Sequence, residues 1–146
     1  MENLNERVLD AWLRLSTTIN NERIVSDMPY NETMICGILY RYDQQCPGKK
    51  LTATELCAKL KMLKSQMNRT LNSMEEKGLI VRQRSEVDKR QVYVGLNMEN
   101  IEIYERQHEK ILDFVECLLE KMGKEKADEI IRVFTMISDT ADEVME

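Results

Sequence analysis

Polar side chains able to contact a nucleic acid recur at helical spacing in the middle of this 146-residue chain. They fall on one side of a predicted helix and are Ser65, Asn68, Arg69 and Asn72. Methionine and leucine occupy the opposite side of the same helix. Arginine can pair with guanine, asparagine with adenine, and a hydroxyl with bases or phosphates. The polar side therefore has the width and the donors to read base edges in a major groove.

A second group of candidate residues lies on the two β-branched segments that follow. Arg82 and Arg84 belong to the first segment, and Lys89 and Arg90 lie near the polar tip that joins it to the second. Asp88 precedes Arg90 by two residues, and a carboxylate so close can hold a guanidinium in one direction. Such an arginine is preorganised for a narrow minor groove, where the negative potential is raised. An ordinary surface ion pair is the alternative interpretation.

Charge is divided unevenly along the chain. The whole sequence carries a formal net charge of -5, which taken alone argues against a polyanionic partner. Residues 49–94 hold eleven basic and five acidic residues, a net of +6, so the remainder carries -11. A local cationic patch of this size is typical of a polyanion site. A lysine-rich solvated surface would have the same composition.

Two short helices are predicted to position the polar side chains. Residues 51–62 and 63–78 each have helical periodicity, and a tight turn joins them. Thr52 or Thr54 can cap the first helix, and Gly78 lies just past the second, where a left-handed C-cap is favoured. Two short helices joined in this way predict a helix-turn-helix.

A β-hairpin is predicted directly after the helix pair. Residues 79–84 and 91–96 alternate with a period of two around a polar tip, so they predict two antiparallel strands and make the helix-turn-helix winged. Asn31 is the predicted N-cap of a preceding helix, and Asn97 opens a long helix that follows. The predicted binding lobe therefore covers about residues 30–96.

Amphipathic helices lie on both sides of this lobe. Residues 1–22 predict one helix and residues 97–146 predict two, with Gly123 between them. A winged helix-turn-helix buries its own apolar faces within roughly 60 to 90 residues, so the outer stripes need another surface. We expect a symmetric homodimer in which these helices interdigitate, with packing inside one chain as the alternative. The expected interface residues are Leu4, Val8, Trp12, Leu118, Phe134 and Ile137.

Three short motifs carry a family resemblance. Residues 74–80 read Met-Glu-Glu-Lys-Gly-Leu-Ile, Arg82 lies on the strand, and residues 88–90 read Asp-Lys-Arg. With the helix pair before them, residues 51–96 resemble the DNA-binding core of the MarR family, the multiple antibiotic resistance regulators. The resemblance implies a mainly α winged helix-turn-helix fold with a small hairpin wing, flanked by N- and C-terminal dimerisation helices. It also implies a homodimeric transcription regulator that binds a palindromic double-stranded DNA operator.

The resemblance extends to individual residues and to regulation. It implies that Arg90 enters the minor groove and that Asp88 supports it. The expected DNA-binding residues are Lys64, Ser65, Gln66, Asn68, Arg69, Asn72, Arg82, Arg84, Lys89 and Arg90. Family members are typically repressors, so release by a small aromatic or anionic ligand is expected, with thiol oxidation as the alternative signal.

Two positions depart from the family pattern. Leu63 stands where the second helix of the pair often has a Ser or Asp N-cap, so we expect a shifted start or a cap at Ser65. Residues 96–100 read Leu-Asn-Met-Glu-Asn and lack the glycine of the usual Leu-Thr-x-x-Gly passage. The family pattern therefore does not predict how the wing is joined to the helix that follows it.

The cysteines and the single histidine limit the other classes. Without CxxC spacing or a secretory signal, the four cysteines are expected to be reduced thiols. Cys46 is expected to be the most exposed, and Cys36, Cys57 and Cys117 to be buried on apolar helix faces. Since His108 stands alone and neither a phosphate loop nor a nucleophile–base pair occurs, we expect no metal site, no cofactor and no enzyme.

The sequence contains no pattern typical of a membrane or secreted protein. No stretch approaches the roughly 18 apolar residues of a membrane span, and the N-terminus has no signal-peptide pattern. We therefore expect a cytoplasmic protein without a membrane partner. A winged-helix module that binds an acidic protein without reading DNA is the alternative function.

Overall fold

The computed structural model of the protein describes residues 3–21 and 28–146, and these are mainly helical with one small sheet. The helices are α1 (Leu4–Asn21), α2 (Tyr30–Gln45), α3 (Ala53–Leu60), α4 (Lys64–Glu76), α5 (Ile101–Met122) and α6 (Ala127–Met145). The strands are β1 (Leu51–Thr52), β2 (Ile80–Arg84) and β3 (Val92–Leu96). The predicted fold, a winged helix-turn-helix flanked by terminal helices, is confirmed. Residues 1, 2 and 22 of the predicted terminal segments lie outside the described residues.

The hydrophobic core lies within the first of two compact units, Met1–Lys110 and Ile111–Glu146. Helices α2, α3 and α4, the sheet and the first turns of α5 contribute to it. Met67, Leu71 and Met74 of α4 are fully buried, as their spacing predicts. Tyr104 of α5 is also buried and packs on Tyr40 with ring centroids 5.1 Å apart. The polar side of α4 is consequently turned away from the core.

The helix-turn-helix forms through a capping box and a left-handed turn. Thr52 accepts a hydrogen bond from the Glu55 backbone N–H at 3.1 Å, and Glu55 accepts one from the Thr52 backbone N–H at 3.3 Å. Thr52, rather than Thr54, is therefore the cap of α3. Lys61 ends the helix in the left-handed region with φ 54°, and α4 begins three residues later.

Two predicted N-caps are wrong. Helix α2 begins at Tyr30 with Pro29 as its N-cap, and Asn31 lies inside the first turn. Proline already has the φ value that a helix start needs, and its carbonyl accepts the Thr33 N–H at 3.1 Å. Helix α4 begins at Lys64 with an extended Leu63 before it, so Ser65 lies in the first turn and does not cap it.

The end of α4 is closed by a Schellman motif. Gly78 has φ +76°, as its position after the helix predicts; its N–H bonds the Glu75 carbonyl at 3.0 Å, and the Leu79 N–H bonds the Met74 carbonyl at 2.9 Å. The Gly78 carbonyl accepts the side-chain amides of Asn97 and Asn100 at 3.0 and 2.9 Å. These two asparagines anchor the junction between the wing and α5 without the glycine of the family passage.

Replacing Gly78 with alanine should destabilise the protein by about 2 kcal/mol. A left-handed backbone costs a non-glycine residue roughly 1–2 kcal/mol, and the new Cβ would lie 2.8 Å from the Asn100 amide nitrogen. Gly48→Ala is the matched control, since Gly48 has φ +82° but its Cβ would meet no atom within 4 Å. Urea unfolding of both variants measures the difference, and equal losses would mean that the contact with Asn100 is unimportant.

The three strands form an antiparallel sheet in the order β1-β3-β2. Strands β2 and β3 are the predicted hairpin, with Arg82 opposite Val94. The two-residue strand β1 pairs Leu51 with Val94 and was not predicted, because two residues carry no periodicity. At the tip, the buried Ser85 hydroxyl accepts the backbone N–H groups of Val87 and Asp88, so the wing loop has a defined conformation.

The second unit consists of the end of α5, the turn at Gly123 and α6. Gly123 has φ +105° and ends α5, as predicted. The large apolar side chains of this unit are mostly exposed, and so are those of α1 in the first unit. None of the helices in the described ranges is long and apolar enough to cross a membrane.

The predicted order of cysteine exposure is wrong. Cys117 is exposed, and Cys57, which was also expected to be buried, is partly exposed, as is Cys46. Cys46 lies at the C-cap of α2, where its N–H bonds the Tyr42 carbonyl, while Cys117 lies in the exposed C-terminal half of α5. Cys36 is buried, and burial raises the pKa of its thiol to about 12, with the Glu32 carboxylate adding to the shift. Cys36 is therefore protonated and unreactive at neutral pH.

Candidate nucleic-acid interface

The outer face of α4 presents the polar side chains that the sequence singled out. Ser65, Asn68, Arg69 and Asn72 are all exposed, on the side opposite the buried methionines. Lys64 is exposed at the start of the helix, and Gln66 is partly buried. This face is a row of hydrogen-bond donors and acceptors one helix wide.

Two residues of α4, Gln66 and Arg69, lie on the side of the helix that faces the start of α2. Gln66 and Arg69 line a shallow polar cavity together with Pro29 and Asn31, at the start of α2. Asn72 does not line it. The face of α4 therefore has one edge next to α2 and another next to the sheet.

Arg82 connects the sheet edge of this face to the wing. Its guanidinium donates from Nε and Nη2 to both carboxylate oxygens of Glu75 at 3.1 and 3.0 Å, and from Nη2 to Asn72 Oδ1 at 2.7 Å. The side-chain hydrogen bond from Arg82 lowers the pKa of the Glu75 carboxyl, and desolvation opposes this shift. Sequence reasoning placed Arg82 among the DNA-binding residues, and the structure shows that its guanidinium is bonded to two side chains of α4.

The remaining cations of the wing lie at its tip. Arg84 donates to the Lys89 carbonyl at 2.8 Å and so closes the loop. Arg90 donates from its backbone N–H and from Nε to Asp88 Oδ1, at 3.1 and 3.2 Å, and these bonds lower the pKa of the Asp88 carboxyl. The Arg90 side chain is nevertheless 91% exposed. The carboxylate restrains one end of the guanidinium while the rest faces solvent.

An ion pair between a buried carboxylate and a half-exposed lysine was missed by sequence reasoning. Glu32 of α2 is 4% exposed, and both of its carboxylate oxygens accept from Lys77 Nζ, at 3.0 and 2.9 Å. Lys77 is one of the basic residues of segment 49–94, but its charge is paired with the Glu32 carboxylate, and its side chain is 48% exposed. No local signal could reveal the pair, because 45 residues separate its members.

The residues that commonly bind metal ions are scattered over the described parts of the chain. Across residues 3–21 and 28–146, no three side chains of the His, Cys, Asp or Glu type cluster closely enough to hold a metal ion. His108 stacks on Tyr104 with ring centroids 5.5 Å apart. Its surroundings are those of a structural histidine.

One family model and several solved structures resemble this arrangement. Residues 26–91, which include the helix pair and most of the wing, match the model of the MarR family. Over these residues the chain is similar to the MarR family. No curated protein shows significant sequence similarity to the whole chain.

Several solved structures share the fold over nearly their whole length. The DNA complex of MepR from S. aureus aligns with a TM-score of 0.72 at 16% identity, covering 97% of this chain and 99% of that one. CouR, a transcriptional repressor bound to a DNA duplex, aligns with a TM-score of 0.76 at 19% identity, covering 93% and 92%. Streptococcus pneumoniae FabT in complex with DNA aligns with a TM-score of 0.68 at 19% identity, covering 97% and 96%. At these identities the likeness establishes the MarR fold.

Proposed function

We propose that this chain is a homodimeric, sequence-specific DNA-binding transcriptional regulator that acts as a repressor. The observation that carries the proposal is the combination of an exposed polar face on α4 with a wing whose Arg90 is held by Asp88. The related folds solved with DNA, one of them described as a repressor, support the same conclusion.

In this proposal α4 is the recognition helix and lies in the major groove. Arg69 and Asn68 contact base edges, and Ser65 and Lys64 contact bases or phosphates near the start of the helix. The buried methionines behind them fix the orientation of the face relative to the lobe. Base contacts would thus come from a rigid helix.

The wing contacts the adjacent minor groove. Arg90 enters it, Asp88 restrains the guanidinium, and Lys89 lies beside the phosphates. Since Arg84 bonds the Lys89 carbonyl, it supports the tip in addition to carrying charge. The net +6 of residues 49–94 attracts the duplex, and the -11 elsewhere is repelled by it, which favours one orientation.

The dimer is formed by the terminal helices, with a second copy of this chain as the partner. Trp12 of α1 is 65% exposed and Phe134 of α6 is 56% exposed in the single chain, and the predicted interface residues Leu4, Val8, Leu118 and Ile137 are exposed as well. Apolar stripes this long are uncommon on monomers. A two-fold dimer covers both stripes and matches a palindromic operator. Release of the DNA by a small aromatic or anionic ligand is the part of the proposal that rests on the family resemblance alone.

Replacing Arg90 or Arg69 with alanine should lower operator affinity at least roughly tenfold, because each loses a contact worth about 1–3 kcal/mol in each subunit. An operator selected from random DNA and a titration at several salt concentrations measure this effect. The slope of log K against log salt should be steep for the unmodified protein and should fall by about two units for Arg90→Ala, one phosphate-equivalent per subunit.

Arg132→Ala is the matched control, since it removes an exposed arginine from α6, outside the cationic segment. It should bind as the unmodified protein does. If selection returned no consensus and an acidic protein competed for the surface instead, the chain would be an interaction module. If both binding-face variants bound normally, the assignment of the face would be wrong.

A further inference from the structure

The contact between Arg82 and Asn72 restricts what Asn72 can recognise. A guanidinium has only donors, so the atom of the Asn72 amide that lies 2.7 Å from Arg82 Nη2 must be the carbonyl oxygen. The usual ambiguity between the oxygen and nitrogen of an asparagine amide is thereby removed. The oxygen faces strand β2, and the Nδ2 group is the end of the amide that makes no contact with Arg82.

This orientation is set before any DNA binds. Arg82 is held by Glu75, three residues beyond Asn72 on α4, and its side chain is only 23% exposed. Its backbone lies opposite Val94 in the sheet, so neither end of the contact is on a mobile loop. An ion pair with two parallel hydrogen bonds gives the guanidinium a fixed plane.

An asparagine that reads adenine needs both ends of its amide, because it accepts from N6 and donates to N7. In Asn72 the oxygen already accepts from Arg82 at 2.7 Å, so a base amino group would have to compete with the guanidinium for that oxygen. The Nδ2 group can still donate to acceptors. In the major groove, guanine alone presents two adjacent acceptors, N7 and O6.

We propose that Arg82 is a positioning residue that makes Asn72 a donor-only contact, so that Asn72 specifies a guanine in each operator half-site. The proposal rests on the proposed function, with α4 in the major groove. Arg82 in this view selects a base without touching DNA.

Selection from random DNA with the full-length protein tests the proposal. The half-site position whose preference is lost in Asn72→Ala is the position that Asn72 reads. In the unmodified protein this position should be a G·C pair, and an A·T pair there should bind about 5- to 10-fold more weakly, the value of one hydrogen bond. Arg82→Met frees the amide oxygen and should reverse the preference toward A·T.

Lys50→Met is the matched control for that variant. Lys50 donates a hydrogen bond at 3.3 Å to Gln83, which lies next to Arg82 on β2, but it makes no such bond to α4. Its replacement should therefore leave the base preference at the position read by Asn72 unchanged. A general loosening of the sheet would affect both variants, whereas loss of the Arg82–Asn72 contact affects one.

A second measurement uses the unmodified protein, in case Arg82→Met fails to fold. Replacing the guanine with 7-deazaguanine removes the N7 acceptor and should weaken binding about 5- to 10-fold, with no effect on Asn72→Ala. An A·T pair at the position that Asn72 reads, no position affected by Asn72→Ala, or an unchanged preference in Arg82→Met would each overturn the inference while leaving the proposed function intact. Failure to select any consensus would overturn both.

Discussion

Replacing Trp12 and Phe134 together with aspartate is expected to convert the proposed dimer to a 17.2 kDa monomer. Both side chains are more than half exposed in the single chain. Large aromatic side chains are usually buried, so we expect a second chain to cover these two. Burying an aromatic side chain fully contributes about 1.5–3 kcal/mol, and the proposed dimer would contain four such positions. A carboxylate in the same place would be buried without a partner charge, which adds a desolvation penalty.

Sedimentation velocity over a range of protein concentrations measures this change directly. The unmodified protein should sediment at twice the monomer mass, and its urea midpoint should rise with concentration, because association stabilises only the folded state. Val87→Asp is the matched control, since Val87 is fully exposed at the wing tip, away from the terminal helices. A monomer mass for the unmodified protein at every concentration would refute the dimer.

Replacing Lys77 with methionine is expected to destabilise the lobe by about 1–3 kcal/mol, because the buried Glu32 carboxylate loses its donor while the Lys77 side chain is itself 48% exposed to solvent. Methionine keeps most of the volume and the apolar stem of lysine, so the packing changes little. What remains is the Glu32 carboxylate, 4% exposed, whose two oxygens both lose their donor. Denaturant unfolding measures the effect.

A double-mutant cycle separates the pair from the packing. Glu32→Gln removes the charge and retains the shape, so adding it to Lys77→Met should recover most of the lost stability. The coupling free energy should be on the order of 1–3 kcal/mol, as expected of residues in direct contact. If the two losses simply added, the ion pair would make no net contribution and Lys77 would act through its methylene groups alone.

Periodicity predicted the parts of this fold that depend on neighbours in the sequence. The spacing of Met67, Leu71 and Met74 sets which side of α4 is buried, because any helix with that spacing has one apolar face. Gly78 follows the same logic, since a left-handed residue at a helix end favours glycine. The apolar spacing therefore predicts which face of α4 is exposed, and Gly78 predicts where the helix ends.

The partners of charged side chains could not be predicted in the same way. Lys77 and Arg82 both counted as members of a cationic patch, yet one is paired with Glu32 and the other with Glu75 and Asn72. These contacts depend on how α2 and β2 pack against α4, which local spacing does not encode. The exposure of Cys117 has a similar origin, because an apolar neighbourhood in sequence does not reveal whether a surface is covered.

The Gly78 carbonyl, which accepts from both Asn97 and Asn100, has a mechanical consequence. One peptide group joins the end of α4, the base of the wing and the residues that lead into α5. A displacement at the start of α5 would therefore move α4 and the wing together. In the proposed dimer, such a displacement would change the distance between the two DNA-binding lobes without altering the internal structure of either.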